Sequence, residues 1–512
     1  MRNAHYAVGV LAIAVMAGCG GGGSSSSSSG PVAGTTLARG SLMANSPNVV
    51  PVPQANGTIT TKLEPAIFTQ MLESSQPGAT QITGTPKCAI TTYHMKYGTV
   101  GGANEPTDAT GAIMVPSGSD PACTGPRPVV LYAHGTTVDK SYNMANLRDN
   151  EEAALIAAMY AAQGFIVVAP NYAGYDASSL TYHPYLNAEQ QANDMIDALR
   201  AARKAFAAVG ALDSGKLFIT GYSQGGYVAM ATQRAMQLSH ASEFKVTALA
   251  GQSGPYALAM LGDASLATTP VTGGTIFLPL LTTSFQKSYG GIYNTPSDIY
   301  ESAYATGIEA LLPGTLSTSQ LFATGKLPQT AMFAADSQPG PSSPSFAVFF
   351  GSNNLVKTSF RNSYLADAAA NPCNPTATGF TCTPQIGLRK AGVKNDLRTY
   401  VPTVPTMLCG GNSDPTVFYA STQATQAYFL ANGMPAAALT VVDVDSAPAA
   451  NDSFAVVKAG FSQTKTATIN AAVAANQNPT VAVASLYHGA LVPPFCNAAA
   501  RGFFQSVLAQ GL

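Results

Sequence analysis

The hydrophobic and polar positions of the chain fall into two periods. Residues 90–100 and 109–115 read as antiparallel strands, and the short apolar runs 129–133, 165–169, 217–221, 246–251, 403–409 and 439–444 read as core strands. Helical spacing occupies 151–163, 187–209, 224–238 and 417–432, between those runs. Strands that alternate with helices predict an α/β fold with a mainly parallel sheet flanked by helices.

Two long intervals break the alternation. Residues 256–400 separate two strands that a single helix would ordinarily join, and so long a stretch without structure of its own is rare in a compact domain. This interval is expected to fold over the carboxyl ends of the strands as a cap. Its apolar stretches 276–281 and 346–350 are read mainly as the cap's own core, with the lining of an acyl pocket as the alternative. A second insertion, 446–485, is expected to lie beside the residues that follow the last strand. The catalytic domain so defined runs from 61 to 512.

The first sixty residues have another character. Residues 1–19 place Arg2 before the apolar run 7–17 and end in Gly18-Cys19, which resembles a bacterial lipoprotein signal whose cysteine is lipid-modified and opens the mature chain. The Gly- and Ser-rich stretch after Cys19 and the Pro-, Ser- and Asn-rich residues up to 60 read as a flexible tether, about 35 Å in mean span. These features predict an exported monomer in the cell envelope, held to the outer membrane by its lipid; secretion with an unmodified Cys19 is the alternative.

Charge narrows the choice of partner. Only 10% of residues are charged and the formal net charge is −1, so no electrostatic footprint for nucleic acid exists and an uncharged small molecule or lipid is favoured. Besides Cys19 there are Cys88, Cys123, Cys373, Cys382, Cys409 and Cys496, an even number that in an exported chain argues for disulfides. The preferred pairs are Cys88–Cys123, Cys373–Cys382 and Cys409–Cys496. No spacing resembles a metal site, and no cofactor is implied.

The chemistry centres on Gly221-Tyr222-Ser223-Gln224-Gly225, which follows the apolar run 217–221 and precedes a helical pattern. Strand, Gly-x-Ser-x-Gly turn and helix together make a nucleophile elbow, whose glycines clear the space where strand and helix cross. In this arrangement the acid and base follow the serine in the order Asp or Glu, then His. Of the six histidines only His240 and His488 come later, and His240 stands a helix length away, roughly 25 Å. His488 is therefore the base, expected in a short loop before a C-terminal helix over 497–510. Asp414, in the loop after the run 403–409, is the acid; Asp443 and Asp445 are its competitors. The oxyanion donors are the Gln224 amide and the Thr136 amide, the latter in His134-Gly135-Thr136-Thr137 at the end of strand 129–133.

The runs Tyr132-Ala133-His134-Gly135-Thr136-Thr137, Ala169-Pro170-Asn171-Tyr172-Ala173-Gly174, Gly221–Gly226 and Gly411–Val417 resemble α/β-hydrolases of the secretory lipase type, the group of the fungal lipase A enzymes. Asn171 stands where that resemblance leads one to expect Asp. The resemblance implies an esterase or lipase with a sizeable cap, working through Ser223, His488 and Asp414 by an acyl-enzyme. A polyester or polyhydroxyalkanoate depolymerase using the same site, and a tethered binding module without catalysis, remain as alternatives.

Overall fold

A computed structural model of the protein describes residues 37–44, 47–54 and 57–511. Cys19, the signal segment and most of the expected tether lie outside the described residues. Nine strands build one sheet: β1 (Asn48–Val49), β2 (Ala89–Val100), β3 (Pro106–Ser117), β4 (Arg127–Ala133), β5 (Ile166–Pro170), β6 (Asp213–Tyr222), β7 (Val246–Gln252), β8 (Thr406–Gly410) and β9 (Leu439–Asp443). Their order is β1-β2-β3-β5-β4-β6-β7-β8-β9. The pairings up to β3–β5 are antiparallel and the others parallel. Order reverses at β4, whose neighbours are β5 on one side and β6 on the other. The carboxyl ends of β4 and β6 therefore flank a topological switch point, where open α/β sheets place their ligands.

Among the helices are α1 (Glu151–Met159), α2 (Ala188–Ala205), α3 (Gln224–Ser239), α4 (Leu258–Ala267), α5 (Gly274–Tyr289), α6 (Thr358–Ala370), α7 (Gly387–Lys394), α8 (Ala420–Ala431), α9 (Ala455–Ala474), α10 (Pro479–Leu486) and α11 (Val492–Ala509). Local chemistry starts them where the sequence permits. Asn150 caps α1 by accepting from the Ala153 amide, and Asn187 caps α2 by accepting from the Gln190 amide. The strands alternate between two cores. Leu131, Val168, Ile219 and Leu249 face α2 and α3, whereas Val130, Val167, Phe218 and Ala248 face α1 and α11. Phe218 stacks on Phe504 of α11 with ring centroids 4.5 Å apart.

Residues 39–43 and 48–50 depart from the expected tether. Arg39 and Leu42 bridge to Gly98 and Tyr97, β1 pairs with β2, and Leu63 bridges to Ile90. The amides of Met43 and Val50 donate to the carbonyls of Lys96 and Thr92 at 2.9 Å. The cause is β2, a long strand whose outer backbone groups need partners. Extended backbone supplies them without an apolar period, so composition gave no sign of it.

The interval read as a cap, 256–400, carries α4 to α7. The second insertion folds as α9 and α10. His488 is not in a loop, as expected, but in a single π turn, Tyr487–Leu491, that joins α10 to α11. Pro493 and Pro494 fall in the first turn of α11.

Candidate active site

Register across β4 and β6 sets the elbow. Ala133 lies opposite Gly221, and α3 starts at Gln224, directly after the strand ends. The chain turns through Ser223 at φ 59° and ψ −121°, a conformation that side chains rarely adopt and that packing must hold. A Cβ on Gly225 would fall 1.9 Å from the Ala133 carbonyl oxygen, and one on Gly221 2.4 Å from the same atom. The glycines are thus required by β4 passing alongside.

His488 Nε2 is 2.7 Å from Ser223 Oγ, and His488 Nδ1 is 2.6 Å from Asp414 Oδ2. A carboxylate beside Nδ1 puts the ring proton there, which leaves Nε2 to accept from the serine hydroxyl. The other oxygen of Asp414 accepts from the amides of Thr416 and Val417 at 2.9 and 3.0 Å. Turn residue and partner of the imidazole are one and the same side chain. Asp443 instead receives the Asn412 amide, and Asp445 receives Lys465 and the Tyr487 hydroxyl.

Three disulfides join Cys88–Cys123, Cys373–Cys382 and Cys409–Cys496. They are the chemistry of an oxidising compartment and mark an exported protein. The third ties β8, which leads to Asp414, to α11, which follows His488. Replacing Cys409 and Cys496 together by serine is expected to lower stability by about 2–5 kcal/mol, because the bridge closes a long loop. Denaturant melts of oxidised and variant protein measure it; equal midpoints would refute the expectation.

Two tyrosines near the base were not legible beforehand. Tyr222, the first variable residue of the elbow motif, donates its hydroxyl to the His488 carbonyl at 2.6 Å. Tyr487 accepts the Ser413 amide at 3.2 Å while donating to Asp445 at 2.7 Å. Motif position marked the first only as a variable residue, and nothing in the local sequence marked the second.

The amides of Gln224 and Thr136 have no protein acceptor among the described residues. Gln224 opens α3, so its N–H lies at the positive end of the helix dipole. Thr136 sits in the loop after β4 with its hydroxyl 3.0 Å from that of Tyr185. His183 cannot serve as base. Burial pushes its pKa down to about 3, Nδ1 donates to the Ala173 carbonyl, and Nε2 accepts from the Gln224 side-chain amide at 2.7 Å. Asn171 is buried, accepts from the Met144 amide at 2.7 Å and donates to Thr110 Oγ1 at 2.8 Å. An amide does both; an ionised Asp could only accept.

Beside Ser223 opens a cavity of about 130 Å³. Leu258, Leu261, Phe277, Leu278 and Met332 from the interval 256–400 form much of its wall, and no charged side chain lines it. The stretch 276–281 therefore serves both purposes considered for it: Ile276 and Leu280 are buried in the core, while Phe277, Leu278 and Leu281 reach the cavity. Phe349, from 346–350, belongs to the core. Among the described residues no three His, Cys, Asp or Glu side chains gather as a metal site.

A mainly parallel sheet with a strand–serine–helix elbow at its switch point and a histidine on the serine defines a hydrolase of the α/β-hydrolase type. Residues 152–251 match the prolyl oligopeptidase family, a stretch that contains the elbow but neither Asp414 nor His488. The chain is similar to the rice cell wall degrading esterase LipA from Xanthomonas oryzae, at 27% identity over 79% of this chain and 91% of that chain, with a TM-score of 0.64. A ligand-bound form of the same esterase aligns at 24% identity over 92% of this chain and 99% of that chain, TM-score 0.68. Lipase A from Candida antarctica aligns at 13% identity over 81% of this chain and 78% of that chain, TM-score 0.48. No curated protein matches the chain.

Proposed function

We propose that the protein is a serine carboxylic-ester hydrolase for uncharged esters with an apolar acyl group. The observation that carries this reading is the hydrogen-bonded series Asp414, His488, Ser223 at 2.6 and 2.7 Å, opening on a cavity without charge. His488 Nε2 takes the serine proton as Oγ attacks the ester carbonyl. The Gln224 and Thr136 amides receive the oxyanion, and His488 returns the proton to the departing alcohol. Water, activated by the same imidazole, then releases the acid and restores the serine. Asp414 keeps the ring oriented and stabilises its transient cation.

Similarity to an esterase supports this choice of bond over a peptide. The cavity also offers no carboxylate for a peptide's amino terminus and no cation for its carboxyl end. Treatment with a fluorophosphonate is expected to label Ser223 stoichiometrically. Nitrophenyl esters from acetate to laurate should then be cleaved, with the preferred chain set by the cap wall. Absence of labelling would leave only a binding module, and preference for polyester film over every soluble ester would favour a depolymerase.

A further inference from the structure

The loop that carries Thr136 lies outside any helix or strand, yet an oxyanion donor must be held to within a fraction of an ångström. Its fastening is unusual in that one carboxylate gathers donors from three places. Glu152 Oε1 accepts the Gly135 amide and the Tyr132 hydroxyl, each at 2.9 Å, and Oε2 accepts the Tyr142 hydroxyl at 2.6 Å. Tyr132 belongs to β4, Gly135 to the loop, and Tyr142 to the segment beyond it. Among the described residues no lysine or arginine pairs with Glu152. Its place in the first turn of α1 offsets the charge instead.

We propose that Glu152 is a positioning residue for the oxyanion hole, an inference that rests on the hydrolase reading above. Glu152 fixes the peptide before Gly135 through its N–H. His134 Nδ1 lies 2.7 Å from the Gly135 carbonyl oxygen and fixes the next one. In a trans peptide the carbonyl and the following N–H point in opposite directions, so the Thr136 N–H is turned away from His134 and left uncommitted. The rest of the loop is tied as well, by Tyr172 to the His134 carbonyl at 3.0 Å and Tyr175 to the Thr137 carbonyl at 2.8 Å. Both phenols on Glu152 are held well above their ordinary pKa, by burial first and the carboxylate second, and so remain donors.

The test compares Glu152→Ala and Glu152→Gln with the wild type. Readouts are kcat and KM on nitrophenyl butyrate, the rate of fluorophosphonate labelling, the affinity for phenylboronic acid, whose tetrahedral adduct on the serine needs the hole, and the melting temperature. Glu152→Ala is expected to lower kcat about 100-fold, with KM changed no more than about twofold and boronate affinity reduced in parallel. Glu152→Gln keeps an acceptor for Gly135 and Tyr132, and should recover to within about tenfold of wild type. A folded Glu152→Ala protein with wild-type kcat, labelling rate and boronate affinity overturns the proposal. So does a Gln variant as stable as wild type but no more active than the Ala variant. If the Ala variant does not fold, Glu152→Met, which keeps the side-chain volume without an acceptor, takes its place: kcat and boronate affinity lowered together support the role, and wild-type values refute it. A wild-type protein that neither labels nor binds boronate would instead overturn the hydrolase reading itself.

Discussion

Ser223→Ala is expected to lower ester turnover by about a million-fold while leaving the fold unchanged. Among the described residues the hydroxyl has one hydrogen-bond partner, His488 Nε2. What holds the elbow is backbone: the Ser223 amide donates to the Gln252 carbonyl at 2.9 Å, and the flanking glycines fit against β4. Alanine tolerates the positive φ about as well as serine does, so the melting temperature should not move measurably. Steady-state kinetics on a nitrophenyl ester, with active sites counted by fluorophosphonate, would test this. Turnover within tenfold of wild type would mean that another group attacks the substrate.

Asp414→Asn should be the next most damaging change, about 10⁴-fold in kcat. The amide oxygen can still accept from Thr416 and Val417, so the turn survives. An amide nitrogen facing His488 Nδ1, however, favours the proton on Nε2, where it blocks acceptance from the serine. Asp443 and Asp445 cannot take over, since their oxygens are engaged with Asn412, Lys465 and Tyr487. The decisive comparison is kcat for the Asn variant at matched active-site titre. A loss of less than about tenfold would move the acid elsewhere.

The strands of the sheet centre were legible because each is buried on both faces and therefore written as an unbroken apolar run; β4, β6 and β7 needed only small changes at their ends. Ser223, Asp414 and His488 were legible through motif and order, and the fold brings the three side chains within hydrogen-bonding distance. Backbone pairing was not legible. Residues 39–43 and 48–50 lie along β2 through amides and carbonyls that any composition supplies. The π turn at His488 was hidden behind a Gly and two prolines that normally signal an interruption. Contacts made by hydroxyl tips, such as Tyr222 on the His488 carbonyl and the two phenols on Glu152, depend on tertiary approach and leave no period in the chain.

The order of the reacting groups along the polypeptide bears on biosynthesis. Ser223 and the Thr136 loop are translated first, Asp414 later, and His488 last, on a turn whose following helix the Cys409–Cys496 bridge ties to β8. A nascent chain threading through a membrane thus carries an unarmed serine. Maturation in an oxidising space, more than synthesis itself, would set the moment at which such a hydrolase can first touch an ester bond.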